Sequence, residues 1–450
     1  MARIATIGLL LLATSAGPGR LFAESPAPAR GEAALLKRPL LAPAWSVRAY
    51  QDAWKHWGIG ARPVAADYDA KFAEHYGLAT TPFQNHGLPM GMKESSFLGL
   101  KGITADCLLC HGGSIAGQSY VGLGNASVDI QALFEDLAAA DGRPAKLPFV
   151  FGRVRGTTEA GAMAAYLLGW REPDLQMRSS RLDLGVHDDL CLDTPPWWHL
   201  KKKKTMYMTG SMDARSVRAN MQFMMSPLTP PSRFKAEEGT FADIQAYLLQ
   251  IQPPRYPFHV DASLARRGES LFLDHCKRCH GTYGAQWTYP NKIVPLEEIG
   301  TDSARFLGVT TEHGRYYNRS WFGQEQPGWL IDEYLATATS GYQAPPLDGI
   351  WATAPYFHNG SVPTVYQVLN SQARPSRFTR SFKTDEGAYD PVHLGWKVEE
   401  VRDQDTARKL AAQRRLYDVA QPGRGNRGHT YGDSLTDAER LAIIEYLKTL

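Results

Sequence analysis

The feature that most constrains this 450-residue chain is the pattern C-x-x-C-H, which occurs at residues 107–111 and again at residues 276–280. Two thiols three positions apart on a helical turn can each add to one vinyl group of a porphyrin. The histidine that follows can then ligate the iron. The pattern therefore predicts two covalently bound c-type haems. The predicted attachment residues are Cys107, Cys110, Cys276 and Cys279, and the predicted proximal iron ligands are His111 and His280.

The motifs have two other interpretations, redox-active disulfides or zinc sites that happen to carry a histidine. An oxidising compartment would favour disulfides. Two copies of the full pattern, each followed by a glycine (Gly112 and Gly281), favour haem over both alternatives. The fifth cysteine, Cys191, lies outside the motifs, and we expect it to be buried as a small apolar side chain.

The start of the chain has the pattern of a signal peptide. Arg3 supplies a basic residue, residues 7–13 form an apolar run too short to span a bilayer, and small residues follow. We therefore predict a signal peptide at residues 1–23 and a periplasmic or secreted protein, with an uncleaved membrane anchor as the alternative. No later segment offers about 18 consecutive apolar residues, so no membrane span is predicted in the mature chain.

Length and composition limit the remaining classes of protein. A chain of 450 residues suggests two or three domains, and 43% hydrophobic residues suffice for packed cores. The 49 basic residues nearly balance the 46 acidic ones, so the charge gives no argument for a nucleic-acid partner.

Apolar residues recur at helical spacing along much of the chain, which predicts a mostly α fold. Thr436 and Glu439 form a capping box that predicts the start of the last helix. Residues 112–124 and 195–204 lack such periodicity and are expected to be loops, and the breaker-rich stretch 255–261 is the best linker candidate. Other helices are predicted near residues 43–58, 65–78, 127–139, 159–170, 212–225, 239–251, and from 263 into the second motif.

A resemblance to a known family rests on residues 354–364, which read A-P-Y-F-H-N-G-S-V-P-T. This stretch resembles the A-P-Y-x-H-(D/N)-G-S-x-x-T motif of the di-haem cytochrome c peroxidase superfamily. That superfamily also contains the haem protein that matures methylamine dehydrogenase. Three further stretches resemble its rubber-oxygenase-like branch, although the chain is shorter than those enzymes: T-P-P-W-W at 194–198, C-H-G-T-Y-G at 279–284 and G-H-T-Y-G at 428–432.

The resemblance extends from about residue 68 to the end of the chain, and it implies two cytochrome c-like haem domains with long irregular loops. We predict the first haem domain, with a flanking extension, at residues 24–254 and the second at residues 255–450. The family places the distal ligand of the second haem in the loop before the last helix, where this chain has His429. His358 is the alternative ligand. Either histidine would make this haem six-coordinate and suited to storing electrons.

The first haem departs from the family pattern. The peroxidases usually take a distal histidine from a loop shortly after the first motif, but this chain has no histidine between His111 and His187. That departure predicts an open or weakly ligated iron. Met90, Met92 and His86 could still close the site from upstream, although core packing is the ordinary role for such methionines.

Three further features have both a functional and an ordinary interpretation. Trp197 and Trp198 could relay electrons between the haems, as an inter-haem tryptophan does in the family, or one could pack in the core and the other lie at the surface. The lysines at 201–204 could dock an acidic redox partner or form a solvated face. The superfamily's calcium ion is a further expectation, which no ligand spacing in this sequence supports.

These observations predict an exported di-haem c-type cytochrome that acts as an oxidoreductase. The first haem would react with peroxide or dioxygen, and the second would transfer electrons. The expected partner is a small donor protein, a cytochrome c or a cupredoxin. The alternatives are a rubber-oxygenase-like dioxygenase acting on an apolar organic substrate and a pure electron carrier with both haems six-coordinate. The sequence does not identify catalytic acid–base residues.

Overall fold

The computed structural model of the protein describes residues 26–186, 190–325 and 334–450. The predicted signal peptide lies outside these ranges. The described residues form sixteen α-helices: α1 (Pro28–Lys37), α2 (Val47–Asp52), α3 (Tyr68–Tyr76), α4 (Leu108–His111), α5 (Ile130–Ala140), α6 (Ala160–Leu168), α7 (Val217–Met221), α8 (Pro231–Leu248), α9 (Ala262–His275), α10 (Lys277–His280), α11 (Leu296–Ile299), α12 (Ala304–Gly308), α13 (Thr311–Arg319), α14 (Val365–Leu369), α15 (Gln404–Ala412) and α16 (Asp437–Leu447).

The strands are short and all pair antiparallel, in small sheets that connect the helices. Two sheets have three strands, in the orders β1-β3-β2 and β13-β10-β14, and the others are two-stranded. The strands are β1 (Trp45–Ser46), β2 (Met92–Phe97), β3 (Leu100–Ala105), β4 (Gly112–Ile115), β5 (Gln118–Val121), β6 (Thr205–Met206), β7 (Met212–Asp213), β8 (Ile293–Pro295), β9 (Gly341–Gln343), β10 (Arg377–Thr379), β11 (Tyr389–Asp390), β12 (Gly395–Trp396), β13 (Glu399–Glu400) and β14 (Tyr417–Asp418).

Three large clusters of buried apolar side chains organise the chain. The N-terminal core lies among α2, α3 and α5, the central core among α1, α6, α7, α8 and α13, and the C-terminal core among α9, α14 and α16. The first C-x-x-C-H motif joins two of them, because Leu108 packs in the central core and Leu109 in the N-terminal core. The second motif follows α9 at the edge of the C-terminal core.

The C-terminal core also receives side chains from residues that precede the predicted linker. Ile115, Leu123 and Trp198 pack there, beside residues of α9 and α16. Tyr256 and Phe258, within the predicted linker, pack against the same core. Two cytochrome c-like haem domains divided near residue 254 remain our prediction for the architecture.

Several local predictions can be compared with the described elements. The capping box is confirmed: Thr436 accepts from the backbone of Glu439, and the Glu439 side chain returns to the Thr436 backbone. The loop predicted at 112–124 is wrong in part, because the hairpin of β4 and β5 occupies it. The loop predicted at 195–204 contains a 3-10 turn at Trp197–Lys201. Helix α8 begins at Pro231 rather than near 239, since a proline fits the first helical position.

Helices α9 and α16 cross so closely that one position accepts only glycine. A Cβ at Gly268 would lie 1.8 Å from the backbone oxygen of Ala442. Since α9 leads directly into the second motif, this crossing sets where that motif lies relative to the last helix.

We predict that Gly268→Ala destabilises the protein, because the added methyl group must push the two backbones apart. The expected loss is about 1–3 kcal/mol in the free energy of unfolding, the range for overpacked sites. The measurement is chemical unfolding of the haem-loaded chain. Gly239→Ala is the matched control, because Gly239 is an exposed residue within α8 with nothing within 4 Å of the added Cβ. That variant should gain roughly 0.5–1 kcal/mol. Equal stability of the two variants would contradict the close crossing.

Candidate haem sites

The second motif forms a single helical turn at the end of α9. The backbone N–H groups of Cys279 and His280 both donate to the carbonyl of Cys276, at 3.1 Å. This turn brings the two thiols and the imidazole to one side of the chain, where all three line a shared cavity. Both cysteines are free thiols here, as are those of the first motif.

The cavity at the second motif has a volume of about 260 Å³ and a mostly apolar lining. A planar macrocycle needs such a lining, because it must be shielded from water on both faces. Apolar side chains from α9, α14 and α16 form much of the wall: Phe272, Val365, Val368, Leu369, Ile443 and Leu447.

His280 and His429 face each other across this cavity, with ring centres 6.3 Å apart. Two imidazoles on opposite sides of one metal, with bonds of about 2.0–2.1 Å and roughly 1.1 Å more from nitrogen to ring centre, give a separation of about 6.2–6.4 Å. The Nδ1 atom of His280 lies 2.8 Å from the carbonyl oxygen of Pro345. That contact leaves Nε2 of His280 for a metal, in the usual arrangement of a ligating histidine. The donor set therefore fits a haem iron.

The loop that carries His429 is tightly constrained. His429 has a φ of 46°, in the left-handed region, and its backbone N–H donates to Ile299 at 2.8 Å. The guanidinium of Arg374 donates to the carbonyls of Asn426 and Gly428, each at 2.7 Å, and to that of His429 at 3.2 Å. Sequence reasoning missed Arg374, because nothing in its neighbours along the chain indicates that it holds a loop more than 50 residues away.

His358, the alternative ligand, also lines the cavity but lies differently. Its ring stacks on Tyr342, with ring centres 4.1 Å apart and planes 17° apart. Its Nε2 is buried without a hydrogen-bond partner among the described residues. Burial lowers the pKa of His358 to about 3, and the positive charge of Arg305 contributes.

Two cationic side chains, Lys203 and Arg278, line the same cavity, and Arg278 pairs with Glu298 at 3.5 Å. Lys203 has no acidic partner in the described ranges, and burial lowers its pKa to about 8. The carboxyl of Asp193 also lines the cavity, and burial raises its pKa well above the usual value. A bound haem has two carboxylates, and Lys203 is a side chain that could offset one of them.

At the first motif, the thiols and the imidazole are also deeply placed. The backbone N–H of His111 donates to the carbonyl of Cys107 at 3.0 Å, which closes the same kind of turn. The indole of Trp197 stacks on the His111 ring, with centres 4.6 Å apart and planes 19° apart. Thr158 lies beside Cys110, and its buried hydroxyl has no hydrogen-bond partner among the described residues.

Burial sets the protonation state of these groups. It raises the pKa of the Cys107, Cys110 and Cys276 thiols to about 12, so they are neutral in the polypeptide. It lowers the pKa of His111 and of His429 to about 4, and it lowers that of His280 as well. Neutral imidazoles have the free lone pair that a metal requires.

A buried ion pair anchors the first motif to the rest of the chain. Lys93, on β2, pairs with Asp106 immediately before Cys107, and both side chains are about 5% exposed. Lys93 also donates to the carbonyl of Leu35 in α1. Asp106 in turn accepts from the backbone N–H of Leu108 at 2.8 Å. Helix α1, strand β2 and the motif are thus connected through one ammonium group.

The upstream candidates for the first haem lie in different surroundings. Met90 is buried in the central core, and its sulfur lies close to Gly112, 2.8 Å from where a Cβ would be. Met92 is buried in the N-terminal core. His86 is exposed to solvent.

The two tryptophans have separate environments, and both are buried. Trp197 packs in the central core against His111, whereas Trp198 packs in the C-terminal core and donates its indole N–H to the carbonyl of Asp348 at 2.7 Å. Next in sequence, His199 lies edge-on to Trp198, with ring centres 6.2 Å apart, and lines the cavity of the second motif. Three consecutive aromatic residues therefore run from the His111 ring to the cavity of the second motif.

The lysine run is not a uniform solvated face. Lys201 is exposed, but Lys202 pairs with Asp348 at 2.8 Å and lies over the rings of Tyr283 and Trp287.

The odd cysteine, Cys191, is fully buried in a small cluster with Val154, Phe378 and Tyr417.

Two further observations concern ions and membranes. Among the described residues, no group of three or more His, Cys, Asp or Glu side chains is placed to hold a metal ion. Within the same ranges, no helix combines the length and the apolar character that crossing a bilayer would require.

Comparison with known proteins connects this geometry to a family description. Residues 341–379 match the family described as "RoxA-like, cytochrome c-like". The matched segment runs from β9 to β10 and includes His358. It supports the resemblance to the rubber-oxygenase-like branch and a haem-binding, c-type cytochrome domain in this chain, and thereby an oxidoreductase.

Two relatives from Sinorhizobium fredii (strain NBRC 101917 / NGR234) are similar over part of the chain. Uncharacterized protein y4iM is 30% identical over 302 residues, which cover 57% of this chain and 64% of the relative. Uncharacterized protein y4iJ is 30% identical over 261 residues, which cover 44% of this chain and 41% of the relative. The chain thus spans less than two thirds of the length of each.

We predict that Lys93→Met strongly destabilises the protein, because it leaves the Asp106 carboxylate buried without its counter-charge. Breaking one side of a buried pair typically costs about 3–5 kcal/mol. Chemical unfolding of the haem-loaded chain measures the loss. Lys71→Met is the matched control, because Lys71 pairs with Glu74 in an exposed position, and its unfolding midpoint should not change. A loss below about 1 kcal/mol in Lys93→Met would contradict the anchoring role.

Proposed function

We propose that this chain is an exported di-haem c-type cytochrome that works as an oxidoreductase. Residues 107–111 would hold the haem that supplies the site of reaction with peroxide or dioxygen, and residues 276–280 would hold the haem that supplies electron storage and transfer. The observation that supports this division most directly is the pair of facing imidazoles, His280 and His429, 6.3 Å apart between ring centres. Haem at these sites supplies one-electron transfer, and it binds an external oxidant only where the iron keeps a free position.

His429 is our proposed distal ligand of the second haem. Its ring lies opposite His280 at the separation that two axial imidazoles require, and its loop is held by Arg374. His358 instead stacks on Tyr342, and among the described residues its ring is not paired with that of His280 as the His429 ring is. We therefore assign His358 a packing role beside the haem.

The first site lacks a comparable arrangement in the part of the chain that the structure describes. The ring stacked on His111 belongs to Trp197, and an indole offers a hydrogen-bond donor but no lone pair for a metal. The sulfur of Met90 lies near Gly112 but is packed within the central core. These contacts support an iron with a free coordination position at this site.

Trp197, Trp198 and His199 are our proposed route for electrons between the two sites. Trp197 touches the proximal ligand of the first haem, and His199 lines the cavity of the second. Aromatic rings placed one after another between two sites shorten the steps over which an electron must tunnel. Their burial also keeps water, and its reorganisation, away from the route.

Two alternatives remain distinct from this proposal. The first alternative is a rubber-oxygenase-like dioxygenase that acts on an apolar organic substrate, and the RoxA-like description of residues 341–379 favours it as far as the family goes. A pure electron carrier would need an axial ligand at the first site as well. A small cytochrome c or cupredoxin is the expected donor for the peroxidase reaction. Lys201 and Lys204 are the exposed members of the lysine run, and we propose that they meet its acidic face.

We predict one high-spin and one low-spin ferric signal in low-temperature electron paramagnetic resonance of the haem-loaded protein, with two haems per chain. His429→Ala should convert the low-spin signal into a second high-spin signal, because it removes an axial nitrogen. His358→Ala is the matched control and should leave the low-spin signal in place. Two low-spin signals in the wild-type protein would contradict the open first site. Loss of the signal in His358→Ala alone would exchange the roles of the two histidines.

Turnover assays distinguish the reaction types. The peroxidase proposal predicts peroxide-dependent oxidation of a reduced small cytochrome or cupredoxin. The dioxygenase alternative predicts oxygen-dependent cleavage of an apolar substrate without added reductant. The double variant Cys107→Ser/Cys110→Ser should abolish either activity, because it removes the first attachment site, whereas Cys191→Ser should retain it. Absence of both activities in the fully loaded wild-type protein would favour the electron carrier.

A further inference from the structure

A second, smaller cavity of about 30 Å³ lies where two distant parts of the chain meet. One wall comes from residues 126–157 and the other from residues 355–417. This volume accommodates roughly two water-sized species, since one water needs about 10–15 Å³. The haem cavity is separate, although Pro355 lines both.

Three arginines line this small cavity and surround one aromatic ring. The guanidinium carbons of Arg155, Arg380 and Arg415 lie 5.1, 4.6 and 5.6 Å from the ring centre of Phe382. Arg380 is also 4.5 Å from the centre of the Trp396 ring, so it is held between two aromatic faces. Aromatic faces attract cations, but they do not cancel the repulsion among three like charges.

Two of the arginines have hydrogen-bond donors that lack partners. Arg380 is only 9% exposed, and its Nη1 is buried with no acceptor in the described ranges. The Nε of Arg415 is likewise buried with no acceptor in the described ranges. The second terminal nitrogen of Arg380, Nη2, donates to the carbonyl of Ala126 and to the hydroxyl of Ser127. A buried donor without an acceptor costs about 1–3 kcal/mol, and more when it carries charge.

The nearby carboxylates do not supply the missing charge. Asp129 is held by Arg414, with 2.9 Å between Nε and Oδ1. Glu74 pairs with Lys71 at 2.8 Å. Asp193 is close enough to Arg380 to interact with its charge, but it lines the haem cavity. No described carboxylate lies within ion-pair distance of any of the three arginines.

We propose that this cavity is a binding site for a small inorganic anion of chloride to nitrate size, held by Arg155, Arg380 and Arg415. The anion accepts from Arg380 Nη1 and Arg415 Nε and offsets the repulsion of the three guanidinium groups. The anion thereby joins the segment that carries Arg155, which follows the first haem motif, to the segment that carries Arg380 and Arg415, which follows residues 354–364. This inference is independent of the proposed enzymatic function.

The volume and the lining exclude larger ligands. Apolar side chains and backbone fill much of the wall, including Val154, Pro363 and Val398. A phosphate ester or a nucleotide would have to displace them. A monatomic halide or a small planar anion fits between the guanidinium planes without that cost.

Thermal unfolding of the haem-loaded, full-length protein tests the proposal. Sodium chloride or sodium nitrate replaces sodium gluconate at constant ionic strength, so that general screening does not change. Binding to the folded state alone should raise the melting temperature with saturation, by roughly 2–5 °C when the anion is in large excess. Arg380→Gln should abolish this response. Arg402→Gln, at an exposed position on a neighbouring segment, is the matched control and should retain it.

A second measurement does not depend on the variants folding. Crystals of the wild-type protein soaked in bromide should give an anomalous peak between Arg380 and Arg415. The absence of both a peak and a saturable response would overturn the proposal. The proposal would also be overturned if added anions left the melting temperature of the wild-type protein unchanged while Arg380→Gln shifted the haem absorption bands. In that case the arginines would serve a haem carboxylate instead of a free anion.

Discussion

The facing imidazoles of His280 and His429 are the contact on which the C-terminal half of the molecule depends. Two neutral rings 6.3 Å apart in an apolar cavity are stable only if the chain fixes both of them. Pro345 orients one ring through its carbonyl, and Arg374 holds the loop that carries the other. The close crossing at Gly268 sets the distance between the helices that frame the cavity. Without this support, the two rings would lose the separation that the proposed metal site requires.

Features that depend on a few neighbouring residues could be predicted from the sequence better than the scaffold could. The C-x-x-C-H motifs can be recognised from neighbouring residues alone, because haem attachment requires only one helical turn. The capping box at Thr436 likewise involves only residues within one turn. The hairpin of β4 and β5 was not foreseen, since glycines at 112–124 indicate a loop as readily as a tight turn. The start of α8 was misplaced because its first turn is polar and its only signal is Pro231.

Groups that act across long sequence separations could not be predicted at all. Arg374 and Lys93 each donate to a backbone carbonyl more than 50 residues away along the chain, and no spacing rule identifies such pairs. The arginines at 155, 380 and 415 are scattered in the sequence and meet only after folding. A sequence shows which residues can carry charge, whereas packing decides which of those charges lose their access to water.

The order of the residues along the chain has a consequence for how the second site is assembled. His280 precedes His429 by 149 residues, and α16, which completes the cavity, is the last helix of the described chain. During synthesis the N-terminal side of a chain is available first. The thiols at 276 and 279 therefore leave the ribosome well before the ring that faces His280. If haem were attached to the exported chain before its C-terminal half had folded, the cavity would still be open on the side of His429, and closing it would be among the last steps of maturation.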